Sequence, residues 1–199
     1  MAGACHKVGV RAVTVEIVYE THSISTDNER GIATGWLPGE LSNRGRELAA
    51  ELGARRRADN IAAVFTSDLR RAVETCEIAF GGSGIPIHQD ARLRECNYGA
   101  LNGMPVAKVT AERSRHIQVP FPEGESYQDA AERMRGFLTE IFQQWDETRI
   151  LIVGHSATRW ALQHLLEGVP LADLVDAPFA WQAGWRFRLR SPDQLARPR

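Results

Sequence analysis

Two periodicities alternate along this chain. Residues 13–19, 61–65, 85–88 and 149–153 are short, apolar and rich in β-branched side chains, and each predicts a strand. Helices are predicted between them. Ser42 caps one that runs through residue 57, with Leu48 and Leu52 on one face. A second starts at Ser67 or Asp68 and stops at the Gly81-Gly82-Ser83-Gly84 run. Residues 105–115 predict a third, with Pro105 at an early position. Ser126 caps a long fourth helix to residue 145, with Asp129 completing an acidic capping box. Ser156 opens a fifth, through residue 167. Residues 184–190 alternate apolar and basic side chains, as an edge strand does. Residues 21–38 predict a long polar loop, and loops of that length are usually functional. Residues 90–104 are expected to be irregular, and 120–125 a loop. Strands alternating with helices predict an α/β fold. It is one three-layer domain with a mostly parallel sheet flanked by helices and an antiparallel edge strand near the C-terminus. The expected boundaries are a flexible extension over 1–14, the domain over 15–190 and a mobile polar tail over 191–199.

Composition narrows the class. A length of 199 residues suits one domain with a sizeable core. Lys and Arg number 24 against 25 Asp and Glu, so the basic excess of a nucleic-acid or membrane-surface binder is missing. Neither is expected as a partner. No apolar run approaches the ~20 residues of a membrane span, and residues 1–10 lack the apolar stretch of a secretory signal. Cys5, Cys76 and Cys96 are odd in number and lack CxxC spacing. That argues against a disulfide framework or zinc site and for a cytoplasmic location. Arg55-Arg56-Arg57 reads as a solvated helix end, where cations suit the dipole.

In mostly parallel sheets, ligands bind beyond the carboxyl ends of the strands. That rule selects the loops after Tyr19, Phe65 and Val153. The first carries Glu20-Thr21-His22-Ser23, the second Ser67-Asp68-Leu69-Arg70-Arg71 through Thr75, and the third Gly154-His155-Ser156 at the start of a helix. Free N–H groups at that helix start suit an anion. Ser25, Asn28, Thr34 and Gly35-Trp36 follow the first loop, and Leu93-Arg94-Glu95-Cys96-Asn97-Tyr98-Gly99 and Gly124-Glu125-Ser126 come later. In this order and spacing, the blocks resemble the histidine phosphatase (phosphoglycerate mutase-like) superfamily from about residue 15 to 189.

The resemblance implies a covalent mechanism. His22 would become a phosphohistidine, and Arg71 and His155 would hold the phosphoryl oxygens. Glu95 would protonate the leaving alcohol and then activate water. Thr21, Ser23, Asn28, Thr34, Gly35 and Ser156 would surround the phosphate, or shape the loops around it. The family implies no metal and no cofactor, a small phosphorylated metabolite as partner, and a homodimer. Its mutases carry a long insertion before the Gly-Glu-Ser block. Only about thirty residues separate Glu95 from Glu125 here, which resembles the compact phosphatase branch. The expected activity is therefore a metal-independent phosphomonoesterase. A cap over residues 101–122 would select the substrate, with Arg113, Ser114, Arg115 and His116 as its polar contacts and Trp36 near the ligand.

The chain departs from the family pattern where it carries Thr21-His22-Ser23, because the family reads Arg-His-Gly. Arginine brings a fixed charge and a forked donor to phosphate, and losing such a contact costs ~10²- to 10³-fold. Serine follows each histidine, leaving the backbone N–H groups available. Glu20 adds a negative charge beside the nucleophile. Three explanations are open. Arg30, Arg94 or Arg159 swings in; or the substrate carries a positive group that Glu20 recognises; or phosphoryl transfer is lost and the pocket binds a metabolite or runs another reaction. His88, His116 and His164 read as structural or surface residues.

Overall fold

The computed structural model describes residues 14–178 and 180–196. Apart from Thr14, the expected extension over 1–14 lies outside the described residues, as does 197–199 of the tail. The main sheet has five strands: β1 (Val15–Thr21), β3 (Ala63–Thr66), β4 (Ile87–Gln89), β6 (Arg149–Gly154) and β7 (Trp185–Leu189), in the order β4-β3-β6-β1-β7. The first four are parallel, with Thr21 level with Gly154 and Thr66 level with Val153. The ends of β1, β3 and β6 therefore finish side by side. β7 runs antiparallel on β1, as the alternating pattern predicted.

Both faces of the sheet are covered, so the strands are apolar on both sides. Along β6, side chains alternate between two cores. Leu151 and Val153 pack with Leu52, Cys76 and Phe80, under α2 (Asn43–Arg56) and α3 (Arg70–Phe80). Ile150 and Ile152 pack with Phe137, Leu138 and Trp160, under α5 (Tyr127–Gln144) and α6 (Ser156–Glu167).

The connections are more ordered than the sequence suggested. The polar loop over 21–38 contains α1 (Thr26–Glu29), closed by a capping box between Ser25 and Asn28, and β2 (Ile32–Ala33). β2 pairs with β5 (Met104–Pro105) from the stretch expected to be irregular. That stretch also holds 3-10 turns at Ala91–Leu93 and Gly99–Leu101. The third predicted helix is α4 (Val106–Glu112), and a 3-10 turn (Arg113–His116) follows it. A further helix, α7 (Leu171–Val175), is too short to show a period. The expectation of a mobile tail from Ser191 is corrected through Ala196. Pro192–Leu195 forms a 3-10 turn, and Leu195 is buried in the α5–α6 core.

Candidate functional site

The side-by-side strand ends bring four separated side chains together. His22 follows β1, Arg71 lies in the first turn of α3, and His155 caps α6 after β6. Glu95 arrives on the segment after the first 3-10 turn. The His22 and His155 rings are 5.0 Å apart, and Arg71 lies against both.

The hydrogen bonds assign the tautomers. His22 Nδ1 lies 2.7 Å from the Ser23 carbonyl, so Nδ1 carries the proton and donates. Its Nε2 accepts from Arg71 Nε at 3.3 Å and therefore keeps a lone pair. His155 Nδ1 accepts from Arg71 Nη2 at 3.3 Å, so its Nε2–H donates to Ser67 Oγ at 2.8 Å. Burial and the adjacent Arg71 cation push His22 down to about 3. Burial, Arg71 and His22 hold His155 well below its ordinary value. Both imidazoles are therefore neutral at physiological pH. Arg71 also donates to the Gly35 carbonyl at 2.9 Å, while its Nη1 is buried with no hydrogen-bond partner. An orphaned guanidinium N–H beside an imidazole lone pair suits an anionic oxygen.

Glu95 is buried at the α6 N-terminus. It accepts from Cys96 N (2.8 Å), Ala157 N (3.0 Å) and Ser156 N (3.2 Å). These contacts correct one expectation: the Ser156 N–H is taken by Glu95, and the Ser23 N–H donates to Thr75 Oγ1 at 3.0 Å. Neither amide is available to a ligand as the site stands.

The group opens into a cavity of about 570 Å³ whose wall includes Thr21, His22, Ser23, Asn28, Thr34 and Gly35. Arg71, Glu95 and Ser156 also reach it. His155 lies one layer behind, against Arg71. Several wall residues have structural bonds as well. Asn28 closes the α1 capping box, Thr34 Oγ1 donates to Asp27 at 2.8 Å, and Ser23 Oγ donates to the Gly45 carbonyl at 2.6 Å. Gly35 has φ +55°, and a Cβ there would fall 1.8 Å from Asn102 Oδ1. Glycine is required on both counts.

Other expectations need correction. Glu20 is not a free carboxylate for a cationic substrate. It is 2% exposed and bound by Arg56 and Arg55 at 2.8 and 3.1 Å. Arg56 is accordingly buried rather than solvated, and it also holds Asp59 and the Ala183 carbonyl. Among the described residues, neither Arg30, Arg94 nor Arg159 lines the cavity. Arg94 pairs with Asp68 and lies over Trp36, and Arg159 lies over Trp185. Trp36 braces the site from behind, donating to the Glu95 carbonyl at 2.6 Å. Of the four polar cap residues, only Arg113 lines the cavity; Ser114 bonds Asp176, Arg115 bonds Glu112, and His116 stacks on Phe121.

Sequence reasoning missed supporting roles. Ser67 and Thr75 lay inside the block that carried Arg71, yet their partners, His155 and Ser23, come from other segments. Tyr19 donates to the His155 carbonyl at 2.5 Å, and nothing in its strand pattern signalled that.

The profile of the histidine phosphatase superfamily (branch 1) matches residues 21–185, which spans all four clustered side chains. The chain belongs to this superfamily. A 2,3-bisphosphoglycerate-dependent phosphoglycerate mutase of Cytophaga hutchinsonii is 31% identical over 82% of this chain and 83% of its own. Among solved structures, Bacillus stearothermophilus YhfR superposes with a TM-score of 0.76 at 29% identity, covering 85% of this chain and 88% of its own. A mycobacterial glucosyl-3-phosphoglycerate phosphatase in complex with VO3 gives a TM-score of 0.70 at 26% identity, covering 82% and 86%. Membership supports phosphoryl transfer as the general chemistry. Among the described residues, no group of three or more His, Cys, Asp or Glu could hold a metal ion, and no helix is long and apolar enough to cross a membrane.

Proposed function

We propose that the protein is a metal-independent phosphomonoesterase working through a phosphohistidine on His22. The observation that carries this reading is the pairing of the unprotonated His22 Nε2 with the partnerless Arg71 Nη1 at one cavity wall. The monoester enters as its monoanion, and Arg71 turns from Nε2 to the phosphoryl oxygens, where developing charge is stabilised. The Nε2 lone pair forms the N–P bond as the P–O bond to the leaving group breaks. The monoanion's proton passes through Glu95 to the leaving oxygen, which departs as the alcohol. Glu95 then takes a proton from water as that water attacks phosphorus. The N–P bond breaks, His22 returns neutral, and Glu95 passes the water's proton to the departing phosphate. His155 contributes Nδ1 to the placement of Arg71, and Ser67 fixes its tautomer.

The test is phosphate release by wild-type and His22→Ala protein in EDTA, over a panel of alkyl, aryl and sugar phosphates. Release at an undiminished rate in EDTA, abolished by His22→Ala, is expected. A variant that keeps wild-type turnover removes His22 as the nucleophile. One observation favours a second reading, a protein that binds phosphate esters with little turnover: among the described residues, none of Arg30, Arg94 and Arg159, the candidates to replace the family arginine at position 21, lines the cavity. Tight binding of the panel without release would establish that reading.

A further inference from the structure

The cavity extends well beyond the phosphoryl site. α2 packs against the segment that follows β1 and presents Gly45, Leu48 and Leu52 on one helical stripe. At Gly45 the helix comes so close that a Cβ would sit 1.9 Å from the Ile24 carbonyl. Further along the stripe, Leu48 and Leu52 face the cavity beside Thr21 and Ile24. Ile32, Val106 and Trp181 line the same cavity. Ile24, Val106 and Trp181 are among the few large apolar side chains left exposed, at 37%, 37% and 63%. A further two lie nearby: Met104 belongs to the β2–β5 ribbon that carries Ile32, and Leu37 packs near Gly103 beside it. Apolar surface gathered at one cavity mouth marks a binding face.

On this side the wall arginine is already paired with an acid. Arg55 is held by Glu20 at 3.1 Å, and the two carboxylates of this wall, Glu20 and Glu51, would repel an acidic leaving group. The remaining guanidinium, Arg113, lies over Trp160 of α6, on the opposite face of the sheet from α2. Its Nη1 points to the Val175 carbonyl. Thr21 lines the same cavity as His22, Leu48 and Leu52, and its side chain is shorter than the arginine of the family pattern.

We infer that this arm takes an uncharged apolar leaving group, so that the preferred substrates are phosphate monoesters of alkyl or aryl alcohols rather than phosphorylated acids or sugars. As a statement about turnover, the inference rests on the phosphomonoesterase reading. As a statement about the cavity, it does not.

The test is a homologous series of ethyl, butyl, hexyl and octyl phosphates. Their leaving-group chemistry is nearly constant, so only buried methylenes change. A fully buried methylene is worth about fourfold. The expected kcat/KM rises about two- to fourfold per methylene until the arm is full, and octyl phosphate exceeds 3-phosphoglycerate and glycerol 3-phosphate. Leu48→Gln and Trp181→Ser flatten the chain-length slope, and Leu48→Met keeps it. A flat series, or preference for 3-phosphoglycerate that Arg113→Ala abolishes, overturns the inference. If no ester is hydrolysed, the phosphomonoesterase reading fails alone, and calorimetric binding of the same series decides the rest. Affinity that climbs with chain length upholds the apolar arm, and uniform affinity rejects it.

Discussion

At the scale of single residues, the site is defined by which atoms are occupied and which are left over. Arg71 spends Nε and Nη2 on two histidines and a carbonyl, and keeps Nη1 for a ligand. Glu95 accepts three backbone N–H groups yet still borders the cavity. If it delivers the leaving-group proton, Glu95→Gln lowers turnover of alkyl phosphates by ~10²- to 10⁴-fold. Nitrophenyl phosphate, whose leaving group needs no proton, loses far less. An equal loss on both would make Glu95 a positioning residue for α6. Thr21→Arg separates charge from space. The new guanidinium favours a compact ester such as glycerol 3-phosphate, while its longer side chain takes up space in the cavity that Leu48 also lines. A rise for the compact ester and a fall for octyl phosphate are expected in parallel kcat/KM measurements. A rise for both would mean that position 21 does not border the apolar arm.

At the scale of elements, legibility followed the strength of the local signal. β1, β3 and β6 could be read because burial on both faces demands unbroken apolar runs. α5 could be read because Ser126 and Asp129 close its capping box. The two-residue strands β2 and β5 and the five-residue α7 could not, since none is long enough to show a period. The four clustered side chains were legible through ordered blocks, but their bonds were not. Arg56 looked like a solvated helix end because its partner, Glu20, lies 36 residues earlier in the chain. Gly45 is a similar case: within α2 it is an unfavourable residue, and only the nearness of the Ile24 carbonyl explains it. Gly45→Ala gains helix propensity but drives α2 off the Ile24 backbone, for a net loss of about 1–3 kcal/mol. Thermal unfolding should show a fall of several degrees. An unchanged or raised melting temperature would mean that α2 shifts at no cost. The close approach would then not be what shapes the cavity wall.

At the scale of the whole molecule, the sheet presses two neutral imidazoles around one guanidinium, and folding becomes sensitive to acid. In the unfolded chain each histidine titrates near 6.5. In the folded protein His22 is held down to about 3 by burial and Arg71, and His155 lies well below its ordinary value for the same reasons. Between those limits the unfolded state binds more protons than the folded one. Stability is therefore fully present above pH 6.5 and is lost as the pH falls through the window toward about 3. Each histidine contributes a slope of up to about 1.4 kcal/mol per pH unit in the steepest part. Phosphate chemistry and folding thus draw on the same arrangement, since the neutral His22 that keeps its lone pair for phosphorus is the one that resists protonation. The melting temperature should be level from pH 8 to 7 and fall steadily from pH 6.5 to 5, less steeply in His22→Gln. Inorganic phosphate, binding beside Arg71, should raise it in the wild type. A melting temperature that stays level down to pH 5 would mean that the pair takes up protons as freely as in the unfolded chain, and the burial that keeps His22 neutral in the proposed chemistry would not hold.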